Sequence, residues 1–174
     1  MRNIAVLYHD RYIEKILKAK DNNELFKDLE VAKDWYIKSF NLGDGQSAYH
    51  LGLLYEKNYG DTNEAEKWFG EGAKLNNLYA KAKFGRTLVD KKDIDGGVQM
   101  LNETAEKGLV MGQTFLGEFN ENLKDYEKAV KYYSDAAQKN RGFYSHVAQY
   151  RLKELDANDD IPDGKNIEDI KELY

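Results

Sequence analysis

The sequence predicts an all-α protein built from repeated antiparallel helix pairs, and three observations carry that expectation. The only proline among the 174 residues stands at position 162, so nothing upstream interrupts a succession of helices. Apolar residues recur at three and four positions, as in Ala65, Trp68, Phe69 and Ala73 or Ala129, Tyr132, Tyr133, Ala136 and Ala137, which is the spacing of one helix face. Sliding the chain against itself by 32 or 33 residues aligns Ala32, Ala65, Gly97 and Ala129, each succeeded three residues later by Trp35, Trp68, Met100 or Tyr132.

Taken in chain order, first helices of each pair (helix A) are predicted near 10–20, 46–58, 78–91, 110–122 and 142–155. Second helices (helix B) are predicted near 24–42, 62–76, 94–107 and 125–140. Each B helix is set by its small and large pair and by two further register positions. Phe40, Ala73, Ala105 and Ala137 come eight residues past the small position, and Gly43, Asn76, Gly108 and Asn140 three further on. Glycine and asparagine tolerate the left-handed backbone that ends a helix, so the register predicts where each B helix stops. The A helices are marked by Leu51 and Gly52, Phe84 and Gly85, and Leu116 and Gly117, with Ala148 and Gln149 as a degenerate fourth. A glycine inside a helix costs roughly 0.5–1 kcal/mol against alanine, so its return at one phase predicts a helix crossing too close for a side chain. Linkers such as Asn58 to Asp61 and Lys91 to Asp95 are short and polar, which turns each helix back on the last. No pair can bury its own apolar face, so stacking supplies the core, with residues 1–155 as one array whose N-terminal helices, from Met1 to Leu17, are expected to serve as a cap.

These residues resemble Sel-one-like repeats, relatives of tetratricopeptide repeats. Ala48, Leu51, Gly52 and Tyr55 match the first helix of that pattern, and Ala32, Trp35, Tyr36, Lys38 and Gly43, or Ala65, Trp68, Phe69 and Ala73, match the second. The resemblance covers about residues 24–155 and departs from the pattern late, where Met100 replaces an aromatic residue and Gln149 a glycine. It implies a right-handed α-solenoid of four to five antiparallel helix pairs, used as a scaffold for other proteins.

In such a solenoid the A-helix residues not spent on packing face inward. Counted from the glycine register they are Tyr49, Leu53 and Glu56; Ala82, Arg86 and Val89; Thr114, Glu118 and Glu121; His146, Tyr150 and Lys153, joined one turn earlier by Gln46, Tyr79, Met111 and Phe143. Aromatic residues and arginine are the usual anchors of protein interfaces. The expected partner-binding set is therefore Tyr49, Leu53, Tyr79, Arg86, Met111, Glu118, Phe143, His146 and Tyr150. Several of these have an alternative use as packing between adjacent A helices.

Other chemistries find little support. With 26 Lys and Arg against 31 Asp and Glu, the formal net charge is −5, the opposite of a nucleic-acid footprint. Without cysteine there are no disulfides, thiolate metal sites or thiol nucleophiles. His9, His50 and His146 fall in different helices, with no companion carboxylate or nucleophile at a useful spacing. Gly43-Asp44-Gly45 is a helix end and turn, not a phosphate-cradling loop. Met1 to Leu7 is too short an apolar run for a signal peptide or membrane span, so a cytoplasmic protein is expected. Asp156 to Gly164 has the alternating oxygens of a calcium loop. Ile161 and Ile167 stand where such a loop needs glycine and glutamate. Residues 156–174 are instead read as an acidic turn, with Asp163 capping a helix over 165–173 whose Ile167, Ile170 and Leu173 cover the end of the last repeat.

The resulting expectation is a non-enzymatic adaptor or inhibitor that binds a protein or peptide partner, without cofactor or metal, as a monomer or weak homodimer. An alternative is an acidic surface that mimics or blocks a nucleic-acid-binding protein, encoded by a phage or mobile element.

Overall fold

The same three-part punctuation separates most of the helices: a left-handed residue, a side-chain cap, and a backbone bond from the cap to a carbonyl five residues earlier. In this computed structural model, which describes residues 1–17, 22–139 and 142–157, the described residues form nine helices and no strand. They are α1 (Arg2–Leu17), α2 (Asn22–Phe40), α3 (Gly45–Leu54), α4 (Thr62–Lys74), α5 (Leu78–Asp90), α6 (Ile94–Glu106), α7 (Val110–Asn122), α8 (Tyr126–Gln138) and α9 (Phe143–Ala157). A single π-helical turn, Tyr55–Tyr59, continues α3.

At the ends of the B helices, Gly43, Asn76 and Gly108 have φ of 89°, 57° and 75°, at the positions the register marks. Asn140, the fourth of that set, lies outside the described residues. The A helices end in the same way, which the sequence pattern did not announce. Gly60, Lys92 and Lys124 adopt φ of 68°, 74° and 60°, and the aspartate after each caps the next helix. Asp61 accepts from the Glu64 N–H at 3.0 Å, Asp93 from Gly96 at 3.2 Å and Asp125 from Lys128 at 3.2 Å. The amides of Asp44, Asn77, Asp93, Leu109 and Asp125 bond back to Ser39, Gly72, Leu88, Thr104 and Asn120, so each turn satisfies a carbonyl its helix leaves open.

The π turn accounts for the change of period. From the register glycine to the left-handed residue is eight positions in α3 (Gly52 to Gly60) but seven in α5 (Gly85 to Lys92) and α7 (Gly117 to Lys124). One extra residue in a helix is absorbed as a wide turn, and Tyr55–Tyr59 is where it sits. Its Tyr59 hydroxyl bonds to Glu30 of α2, fastening the turn to its neighbour.

Contacts cluster into two compact units, Met1–Phe84 and Gly85–Tyr174, the division falling inside α5. In the first unit, Ala5, Tyr12, Leu29, Ala32, Tyr36, Leu51 and Leu54 form the core. In the second, Ala129, Val130, Tyr133, Ala136, Ala148, Leu152 and Leu155 do so. The first helix begins at Arg2, eight residues before the sequence expectation of 10–20. Ala5 and Tyr12 lie seven apart on one face and both are buried in the core shared with α2 and α3; Tyr8, between them on that face, packs against the same core, and Asp10 is exposed. Arg2 then pairs with Asp44 at 3.0 Å, tying the start of α1 to the cap of α3. The remainder of the expected 10–20 segment, and the capping helix expected over 165–173, lie outside the described residues.

The register glycines sit where helices cross. A β-carbon on Gly52 would stand 2.3 Å from the Phe69 ring, one on Gly85 2.9 Å from the Gly97 carbonyl, and one on Gly117 2.5 Å from the Tyr133 ring.

Candidate functional site

The A-helix residues singled out by the sequence fall into two groups, one in each unit. In the first unit, α3 and α5 bring Tyr49 and Tyr79 together, with ring centroids 5.5 Å apart and tilted by 42°. Tyr49 also lies 6.2 Å from Phe69 and 5.5 Å from His50, whose imidazole stacks on Tyr36 at 5.2 Å and 17°. The start of α5 is held beside α3 by one side chain. Asn77 accepts from the Ala80 N–H at 2.9 Å and donates to Gln46 of α3 at 2.7 Å. Tyr79 is 44% exposed, while Tyr49 and Leu53 are half-buried. Beside them Lys83 reaches both Glu56 oxygens, at 2.8 and 2.9 Å, with its ammonium 5.6 Å over Phe69.

His9 of α1, separate from His50 in the sequence, acts on it in the fold. The His50 imidazole is lowered to about 4, chiefly by burial and then by the positive charge of His9 and Arg2, against the pull of Asp44. Burial lowers His9 as well, opposed by Asp10 and by a hydrogen bond to Asn58. Both rings are therefore neutral near pH 7. Asp44 is pushed up by burial but held below the ordinary carboxylate value by the Ser47 and Ser39 hydroxyls, Arg2 and the Gln46 amide. It is thus a structural anion, with Ser47 and Ser39 at 2.9 and 3.0 Å. Among the described residues no group of three or more His, Asp or Glu is placed to hold a metal.

In the second unit, Arg86 and Glu118 meet at 3.1 Å, and the guanidinium lies 4.5 Å over the Phe115 ring. Phe115 continues edge-on to Tyr144 at 5.3 Å, and Tyr144 to Phe143 at 5.2 Å, so a cation and three rings run from α5 through α7 to α9. Thr114 fastens α7 to α9 by donating to the Val110 and Tyr144 carbonyls at 2.9 and 3.2 Å. Burial pushes the Glu118 carboxyl up against the opposing charge of Arg86 and Arg151. Glu121 is spent on Arg151 and on the Tyr133 hydroxyl, the latter at 2.7 Å.

On α9, Phe143, His146 and Tyr150 share one outward face; Phe143 is 73% and Tyr150 57% exposed, and His146 is also exposed. Met111 is a correction: at 3% exposure it belongs to the interior of its unit and offers no surface to a partner. Its helix is buried continuously from Met111 to Gly117, so the position six residues before the register glycine is consumed by packing there, although its equivalents Tyr79 and Phe143 are open. Phe115 and Tyr144 escaped the sequence reading because they lie off the counted phases, and only the helix crossing brings them into line.

The sequence matches no protein-family model and no curated protein. No described helix is long and apolar enough to cross a membrane.

Proposed function

We propose that this chain is a non-enzymatic protein-interaction module of the Sel-one-like repeat type, an adaptor or inhibitor that grips a protein or peptide partner with aromatic side chains of its A helices. The observation that carries this reading is the outward face of α9. Phe143 and Tyr150 are largely exposed on it, seven residues apart with His146 between them. Aromatic area held on a rigid helix offers contact at a low cost in conformational entropy, which is how interface anchors work. Tyr79 in the first unit supports the same reading on a smaller scale. His50, on which His9 acts, is neutral and stacked, and His9 is neutral and hydrogen-bonded, an arrangement suited to packing.

The test is capture from extract with the intact chain and with a Phe143→Ala, Tyr150→Ala double variant, after circular dichroism has established equal helicity and melting. A protein retained by the first and lost by the second supports the reading. Retention by both, or by neither across several extracts, removes α9 as the binding face.

A further inference from the structure

A second surface lies on the B-helix side of the second unit and differs in chemistry from the aromatic A-helix face. A groove of about 570 Å³ runs along α6 and is closed on one side by α7. Its apolar lining is Ile94, Val98 and Phe119; its charged lining is Asp95, Glu103 and Glu106. Ile94 is 37% exposed although apolar, and Phe119 is only half-buried. The lining contains no lysine, arginine or histidine, and Gln99, which belongs to it, donates to Glu103 at 3.3 Å.

We infer that this groove docks a cationic, amphipathic segment of a protein partner. Charge and spacing both point to such an occupant. With a rise of 1.5 Å per residue, Asp95 lies about 12 Å along the helix axis from Glu103 and about 16 Å from Glu106. A partner helix laid along α6 would meet these carboxylates with Lys or Arg at positions i, i+8 and i+11. Its apolar residues on the same face would fall on Ile94, just before Asp95, on Val98, between Asp95 and Glu103, and on Phe119 of α7. An anionic segment would face three like charges, and an uncharged one would take water from the carboxylates without returning charge, so the groove selects by repulsion as well as attraction. The volume suits several side chains and not a whole folded surface.

The probe is a synthetic 16-residue amphipathic peptide with Lys at positions 2, 10 and 13 and Leu or Phe on the same face. It is titrated into the full chain at 50 and 300 mM salt, and amide chemical shifts are followed. The expected result is saturable binding that weakens severalfold with salt, with shifts concentrated on residues 94–106 and Phe119. The Asp95→Asn, Glu103→Gln, Glu106→Gln variant should lose at least tenfold in affinity, while Asp34→Asn, Asp90→Asn, Asp156→Asn, equal in charge removed but elsewhere, should lose less than twofold. Four outcomes would overturn the inference: no binding, equal losses in the two triple variants, shifts centred on the A helices, or equally tight binding of a peptide with the same cations and scrambled apolar positions. A change of the free chain's oligomeric state in the groove variant alone would assign the groove to a second copy and also overturn it.

Discussion

Replacing Gly117 with alanine isolates what the repeat register means physically. The added β-carbon would lie 2.5 Å from both Cδ1 and Cε1 of Tyr133, so the ring or the helix must move. The ring has little room to do so. Tyr133 is fully buried, and its hydroxyl is held at 2.7 Å by Glu121, which Arg151 holds in turn. Overpacking of a filled core costs about 1–3 kcal/mol, and the hydrogen bond to a charged acceptor puts about 1.5–3 kcal/mol more at risk. Against this, alanine gains about 1 kcal/mol of helix propensity. The net expectation is a loss of about 2 kcal/mol. Gly70→Ala is the internal comparison. Its β-carbon would meet the nearest Phe84 ring atom at 3.4 Å, an ordinary contact, so the propensity gain should survive as up to about 1 kcal/mol of stabilisation. Urea unfolding followed by circular dichroism reads both, and thermal melts should move apart in opposite directions by several degrees. A Gly117→Ala midpoint at or above that of the unsubstituted chain, or equal shifts for the two variants, would refute the crossing argument. Tyr133→Leu should recover part of the loss in the Gly117→Ala background, since Leu101 occupies the corresponding place opposite Gly85.

Lys92→Gly and Lys124→Gly should each stabilise the chain by about 1 kcal/mol in the same assay. Both lysines hold left-handed φ, which costs a side-chain-bearing residue roughly 1–2 kcal/mol, partly offset by glycine's greater freedom when unfolded. Asp93→Ala and Asp125→Ala should each cost about 1 kcal/mol by leaving the Gly96 and Lys128 amides uncapped. His50, lowered to about 4 by burial, makes stability depend on acid. Its contribution is fully present above pH 6.5 and is lost as pH falls from 6.5 towards 4, by roughly 3 kcal/mol in the limit, because the unfolded chain binds a proton the folded one refuses. Melting temperatures between pH 7 and 4 should therefore fall in the parent and fall less steeply in His50→Gln.

Most of the helix boundaries were legible in the sequence because they are local. A small residue, a large one three on, and a glycine or asparagine eleven on describe a single helix and its end, and Gly43, Asn76 and Gly108 behave accordingly. The left-handed lysines were harder to see, since lysine has no intrinsic preference for that backbone. The signal was the aspartate after each, standing four residues before the small position at Asp93 and Asp125, as Asp61 does after Gly60. Of the candidate site, periodicity placed Phe143, His146 and Tyr150 on one face of α9, and Tyr49, Tyr79, Arg86 and Glu118 lie on the helices α3, α5 and α7. Met111 was misread because periodicity identifies a face without saying whether another helix covers it.

Helicity, the pairing of successive helices and the points where they cross can all be read from one chain, for they come from propensity, capping and a register repeated along it. Tertiary packing decided the rest. It set Arg86 over Phe115 and against Glu118, drew Phe115, Tyr144 and Phe143 into one line, and brought His50 under the influence of His9. It also opened the groove along α6 between Ile94, Val98 and Phe119. Those outcomes depend on side chains far apart in the chain, whose distances are fixed only when the interdigitation of whole helices chooses among the faces that the sequence offers.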